Sequence, residues 1–228
     1  MDEARQGQVS PLKVMVIPVT PFQQNCSIVW CTATNRAAVV DPGDGVATIL
    51  EALAKHGLTL ERILVTHAHV DHAAAVADLA ERTGVPVDGP QREDQFWIDR
   101  LAADGAGYGM RHARPFTPTR WLEDGDRVTV GELAFDVLHC PGHTPGHVVF
   151  YNEAARFALV GDVIFQGSVG RTDFPRGSMP DLVRSIREKL FPLGDDVTFL
   201  PGHGEPSTFG RERQGNPFVS DRAVGTAG

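Results

Sequence analysis

Apolar positions along the chain follow two different periods, and the switches between them mark out the elements. Residues 12–19 and 26–30 are rich in branched and aromatic side chains and predict strands; a turn at Thr34-Asn35-Arg36 returns the chain along residues 37–40, and Asp41-Pro42-Gly43 ends that hairpin. Val46, Ile49, Leu50 and Leu53 then share one helical face, closed by Gly57. A short buried strand at Ile63-Leu64-Val65 leads to a helix over 73–82 stopped by Gly84, a strand at Val85-Pro86-Val87, and a helix over 91–103 carrying Phe96, Ile98 and Leu101. Residues 104–120 lose their periodicity and predict a loop beside the site. In the second half, hairpins over 127–130 with 133–138 and 148–151 with 157–160 precede a helix over 181–191, with Leu182, Ile186 and Leu190 on one face, and a last strand over 197–200. Residues 220–228 carry no pattern and read as a loose tail.

The two halves echo each other. Residues 27–41 run strand, turn with Arg36, strand, Asp41; residues 147–162 run strand, turn with Arg156, strand, Asp162; each is followed by a loop and an amphipathic helix. Such halves bury their apolar faces best as two sheets packed face to face with helices over both outer faces. The length of 228 residues suits one domain of this kind, over 1–228.

Composition narrows the function. A chain 42% hydrophobic and 22% charged is an ordinary soluble one, and its net charge of −8 excludes nucleic acid as the main partner, since phosphate binding needs clustered Lys and Arg. A small anionic substrate on a local basic patch remains compatible with it. Cys26, Cys31 and Cys140 are too few and odd in number for a disulfide framework, which suits a reducing cytosol. Residues 1–10 are polar with no apolar core, so no signal peptide is expected, and no run approaches the roughly 18 apolar residues that a membrane span needs. The expectation is a cytoplasmic protein with no membrane partner, a monomer or small homo-oligomer.

The chemistry concentrates directly after the strand at 63–65. Thr66-His67-Ala68-His69-Val70-Asp71-His72 puts four potential metal ligands within six residues. If the extended backbone continues, His67 and His69 point to one side, while Asp71 and His72 fall where the next helix begins, a position whose free N–H groups favour an acid. Three further segments offer ligands at predicted strand ends: His139-Cys140-Pro141-Gly142-His143-Thr144-Pro145-Gly146-His147, Gly161-Asp162, and Pro201-Gly202-His203-Gly204. Gly and Pro crowd each of them, as tight loops presenting side chains to a shared pocket require. Imidazoles and carboxylates suit zinc, and also divalent iron or manganese. Asp41 reads as a turn former or a partner that orients a ligand and Cys140 as a small buried thiol, while His139, His143 and His147 are all ligand candidates within their segment.

The strings THAHVDH, CPGHTPGH, GDVIF and PGHGEPST together resemble the metallo-β-lactamase superfamily, and in detail its short bacterial hydroxyacylglutathione hydrolases, or type II glyoxalases. The resemblance implies an α/β fold, an αββα sandwich of two mixed sheets covered by helices, without the C-terminal helical domain of the longer glyoxalases. It implies two divalent metal ions: His67, His69 and His143 on one, Asp71, His72 and His203 on the other, and Asp162 bridging them. Asp71 and Asp162 would be the catalytic carboxylates, and a metal-bridging hydroxide would attack the thioester of S-lactoylglutathione, yielding glutathione and D-lactate in methylglyoxal detoxification. Arg171 matches a basic residue that binds glutathione in the longer enzymes; the neighbouring position, aromatic there, is Asp173 here. Arg211 would add positive charge for an anionic thiol. Gly170-Arg171-Thr172-Asp173-Phe174 also resembles the mononuclear iron persulfide dioxygenases of the same superfamily, and a non-catalytic metal-binding module is the other alternative.

Overall fold

The computed structural model describes residues 11–225, so the leader reading at 1–10 and the end of the tail, 226–228, lie outside the described residues. The first half begins with β1 (Leu12–Val19), β2 (Gln24–Cys31) and β3 (Arg36–Val40), an antiparallel meander. Helix α1 (Val46–Lys55) crosses over to β4 (Thr59–Leu64), parallel to β3. After α2 (Val70–Ala73) and α3 (Val76–Thr83), β5 (Val87–Asp88) adds to the far edge, giving a mixed sheet in the order β1-β2-β3-β4-β5. Helix α4 (Gln95–Gly107) leads into the second half.

There β6 (Arg127–Val130), β7 (Leu133–His139), β8 (Val148–Asn152) and β9 (Phe157–Gly161) form a second meander. A small hairpin, β10 (Ile164–Phe165) with β11 (Ser168–Val169), stands apart from both sheets. Helix α5 (Met179–Ser185) crosses over to β12 (Thr198–Pro201), parallel to β9, and β13 (Ser207–Thr208) closes the sheet β13-β12-β9-β8-β7-β6. Helices α6 (Phe209–Gly215) and α7 (Asp221–Gly225) follow. The echo between the halves is therefore one of topology: hairpin, crossover helix, parallel strand, with Asp41 and Asp162 each just past the second hairpin strand.

Burial shows three stacked apolar layers. Val29, Ala38, Val40 and Leu64 of the first sheet meet Phe135, Val137, Phe150 and Leu159 of the second, all buried. Their neighbours in the strands face outward: Ile28, Val39 and Ile63 pack under α1, α3 and α4, while Val149, Ala158 and Val160 pack under α5 and α6. Strands buried on both faces need continuous apolar runs, which is what the sequence offers there. This is the αββα sandwich. Each fully buried Phe or Ile contributes about 1.5–3 kcal/mol to holding the layers together. No helix among the described residues is long and apolar enough to cross a membrane.

Four expectations change. The helix expected over 73–82 begins earlier, at Val70, and is split in two, because the Asp41-Pro42-Gly43 loop wedges into it. The Ala75 N–H bonds Pro42 O at 3.0 Å instead of the carbonyl four residues back, and a Cβ on Gly43 would overlap the Asp71 carbonyl. The helix expected over 181–191 changes to a wider π-helical turn at Ile186–Leu190, still with Leu182, Ile186 and Leu190 buried. The hairpin β10–β11 and helix α6 had no periodic signal, being too short to show one. Residues 220–228, expected as a loose tail, include α7, whose Asp221 pairs with Arg187 at 3.0 Å and Arg213 at 3.2 Å.

Candidate metal centre

The ligand-bearing loops all leave the same edge of the sandwich. The chain beyond β4 carries His67 and His69, the first turn of α2 carries Asp71 and His72, the loop between β7 and β8 carries His143, and the ends of β9 and β12 carry Asp162 and His203. The structure brings all seven together. The free ligand atoms of His67, His69 and His143 lie within 4.8 Å of one another, as do those of Asp71, His72 and His203. Asp162 sits between the two groups: its Oδ1 is 3.3 Å from His72 Nε2, and its Oδ2 is 3.6 Å from both His143 Nε2 and His203 Nε2.

Four of the five imidazoles, those of His67, His72, His143 and His203, are held by their Nδ1 atoms, which leaves Nε2 to the centre. His72 Nδ1 donates to Asp41 Oδ2 at 2.9 Å. His67 Nδ1 donates to Thr66 Oγ1 at 3.0 Å, and that hydroxyl donates in turn to Asp41 Oδ2 at 2.6 Å. His143 Nδ1 donates to Arg171 O at 2.7 Å and His203 Nδ1 to Phe22 O at 3.2 Å. Asp41 thus orients one ligand of each group, which makes it a support; both its oxygens are engaged, Oδ1 by the Thr66 N–H at 2.7 Å. His147 and His139 lie outside both ligand groups. His147 Nε2 accepts the Asp162 N–H at 3.1 Å, fixing the backbone of that acid, and His139 Nε2 donates to Pro145 O at 2.8 Å.

The Nε2 atoms of His67, His69, His72 and His143 are buried with no hydrogen-bond partner, and so is Asp162 Oδ1. An orphaned buried polar atom costs about 1–3 kcal/mol, and native folds leave very few. Five converging on one point fit divalent cations and little else. Burial lowers the His67, His69 and His143 imidazoles, so they are neutral and free to ligate. Burial also opposes charge on His72 and Asp162, but there their mutual attraction prevails, holding Asp162 well below the carboxylate range and His72 well above its usual value. The carboxylates make the centre favour positive charge.

Glycine makes the approach possible. A Cβ on Gly202 would overlap Asp162 Oδ1 and crowd His72, and one on Gly170 would overlap Asp162 O and press on His143 Nδ1. A residue that the sequence did not single out ties the ligand loops together. Asp94, fully buried just before α4, accepts from Ala68 N at 3.0 Å and Thr144 Oγ1 at 2.9 Å through Oδ2, and from Gly146 N at 2.6 Å through Oδ1. Nothing in Gln91-Arg92-Glu93-Asp94 distinguishes this acid from the exposed Glu93 beside it.

A cavity of about 730 Å³ opens over His69, Asp71, His143, Asp162 and His203. Phe22, Trp97, Tyr108, Phe165 and Phe174 wall it; apart from Tyr108, which falls in the stretch expected beside the site, they were not foreseen, because isolated aromatics carry no positional signal. Arg171 lines the cavity as expected. Arg211 does not: it lies on α6, facing the Gln166 amide, whose oxygen in the satisfied orientation accepts from both its terminal nitrogens at 2.9 and 3.0 Å. The stretch expected as a loop over 104–120 begins as the last turn of α4, and it lines the mouth through Asp104 on that helix and Tyr108 just past it.

Comparison with known proteins agrees with the fold. The family model described as "Metallo-beta-lactamase superfamily" matches residues 19–203. A hydroxyacylglutathione hydrolase, GloC, of Haemophilus influenzae is 39% identical over 93% of this chain and all of that protein. Among solved structures, the BLEG-1 B3 metallo-beta-lactamase superposes with a TM-score of 0.83 at 32% identity, over 91% of this chain and 99% of that one. TTHA1623, solved in a di-iron-bound form, superposes with a TM-score of 0.80 at 35% identity, over 90% of this chain and all of that one.

Proposed function

The chain belongs to the metallo-beta-lactamase superfamily, and from that premise we propose that it is a dinuclear metal-dependent thioester hydrolase of the hydroxyacylglutathione hydrolase type. The observation that carries the reading is the set of four unpartnered Nε2 atoms converging on a buried Asp162 that reaches both ligand groups. His67, His69 and His143 would hold one ion, and Asp71, His72 and His203 the other, with Asp162 shared between them. Zinc, iron or manganese bound there would lower the pKa of water and polarise a carbonyl oxygen. The donor set, imidazoles with two carboxylates, suits all three metals.

The chain's own groups do the rest. Asp71 and Asp162 both face the cavity. Burial works against ionising Asp71, but the His72 charge and the His203 hydrogen bond overcome it and lower its pKa, so both acids stand ionised and can orient an attacking water by accepting its hydrogen bond. The scissile carbonyl enters from the aromatic side of the cavity, and collapse of the tetrahedral adduct expels a thiolate, which needs no proton to leave. No protein nucleophile takes part: Cys26 and Cys140 are buried, burial pushes the Cys140 thiol up to about 12, and neither lines the cavity.

S-lactoylglutathione, from the methylglyoxal detoxification sequence, is the substrate that tests this reading. We place the reaction in the cytoplasm on a small thioester, without nucleic-acid or membrane partners, in a monomer or small homo-oligomer. The experiment is elemental analysis of the purified protein paired with hydrolysis kinetics: about two metals per chain and metal-dependent release of glutathione are expected. Oxygen consumption with glutathione persulfide, and no thioester cleavage, would overturn it in favour of a dioxygenase. Less than one metal per chain, with no loss of stability to a chelator, would point to a non-catalytic module.

A further inference from the structure

The cavity over the metal centre is walled by rings, and among the described residues the arginines that line it are paired with carboxylates. Trp97 and Phe174 stand edge-on to His69, with centroids 4.5 and 4.8 Å from it. At the mouth, Phe22 and Tyr108 meet edge to face at 5.1 Å, yet they stay 43% and 55% exposed. Aromatic side chains of that size left in water beside a binding site are surface that a bound apolar group would cover.

The two arginines of the lining are both spoken for. Arg171 forms a bidentate pair with Asp173 at 3.0 and 2.8 Å and stacks 4.6 Å over Phe174. Arg100 pairs with Asp104 at 3.1 and 3.3 Å and stacks 5.3 Å over Trp97. Exposed pairs of this kind are weak, so the point is their balance. The rim is neutral overall, and attraction for negative charge is confined to the ligand cluster, where the carbonyl must go.

We infer that this site prefers thioesters whose acyl group is apolar, an aliphatic chain or an aryl ring, over small polar acyl groups such as lactoyl. The wall from Trp97 to Tyr108 is the surface that receives it. The inference rests on the thioester hydrolase reading above. A fully buried CH2 group is worth about fourfold in binding, so partial burial of a six-carbon chain gives at least about a tenfold advantage.

The test uses the metal-loaded protein and one thiol, glutathione, with acetyl, lactoyl, hexanoyl and phenylacetyl groups attached. Expected is a kcat/KM for hexanoyl and phenylacetyl at least about tenfold above that for acetyl and lactoyl, with Tyr108→Ala and Phe174→Ala each lowering that ratio several-fold. A calorimetric comparison of S-hexylglutathione with S-methylglutathione reads the same preference without turnover. Hydrolysis of all four at similar rates, with equal binding of the two thioethers, would overturn the inference and leave the hydrolase reading standing. Tighter S-hexylglutathione binding with no thioester cleaved would support the apolar site and sink the hydrolase reading instead. A preference untouched by both substitutions would overturn the assigned wall.

Discussion

Asp41 Oδ2 lies 2.9 Å from His72 Nδ1 and 2.6 Å from the Thr66 hydroxyl that carries His67, so one carboxylate sets the ring of a ligand in each half of the centre. The loop that delivers it is the same Asp-Pro-Gly segment that splits the helix between α2 and α3. The break at Ala75 falls just after His72, and the same loop brings the acid to the back of that ring.

Asp41→Asn keeps the shape but sets an amide N–H against the donating face of His72. Groups that orient metal ligands are typically worth 10–100-fold in metal affinity. We expect that loss at the position held by Asp71, His72 and His203, read by competition with a chelator. Unchanged affinity would show that Asp41 serves the turn alone.

Asp94 makes a second clamp, between the loop after β4 and the loop before β8. In Asp94→Asn one oxygen becomes a donor facing donors, which costs about 1–3 kcal/mol. The expected result at neutral pH is a lower unfolding midpoint together with faster amide exchange at Ala68 and Gly146 and weaker metal retention. A drop in stability with metal affinity intact would mean that Asp94 only braces the fold.

The same acid has a pH signature. Burial outweighs its three donors and raises its pKa from 3.8 to about 6. The folded chain therefore holds this proton more tightly than the unfolded one. The stability it contributes is full below pH 3.8 and is lost as pH rises through about 6. At about 1.4 kcal/mol per pH unit, the loss amounts to about 3 kcal/mol. Denaturant unfolding of metal-free protein should show the advantage of the native chain over Asp94→Asn shrinking by that order from about pH 4 to pH 7, and a gap that ignores pH would refute the assignment.

Arg171 offers a gain-of-function check. Its pairing with Asp173 spends the charge that a carboxylate of glutathione would otherwise meet. Asp173→Asn should lower KM for a glutathione thioester several-fold and leave KM for the same acyl group on uncharged N-acetylcysteamine in place. Equal effects on both thiols would mean that Arg171 does not read the thiol half.

What the sequence disclosed follows from how local each signal is. His67, His69, Asp71 and His72 sit within one short segment, and His143, Asp162 and His203 each follow a strand with Gly or Pro beside them, so the candidate ligands stood out locally, whereas the choice of His143 over His139 and His147 and the division into two groups came from the family resemblance. Doubly buried strands such as 148–152 announced themselves as apolar runs. The supports did not. Asp94 acts through backbone N–H groups about 26 and 52 residues away, and those partners have no side-chain signature. The cavity wall draws Phe22 from a turn, Trp97 from a helix and Phe174 from a loop, and only the folded chain makes them neighbours. Arg211 illustrates the converse: its positive charge made it a candidate for an anionic thiol, whereas α6 carries its side chain to Gln166.

Asp162 is where the two-metal reading is most exposed. Its Oδ2 is equidistant, at 3.6 Å, from His143 and His203, while its Oδ1 is 3.3 Å from His72. The His147 ring and the absence of a Cβ on Gly202 hold it there, one through the backbone N–H and the other by leaving room for the carboxylate. Asp162→Asn retains that packing and removes the negative charge that both ions would share. Activity should fall by orders of magnitude and metal content should drop at both positions together, as read by elemental analysis against the Asp41→Asn variant, which spares the first position more. If Asp162→Asn lost one metal and kept the other at full occupancy, the carboxylate would belong to a single ion, and the attacking water would have to be sought on one side of the centre.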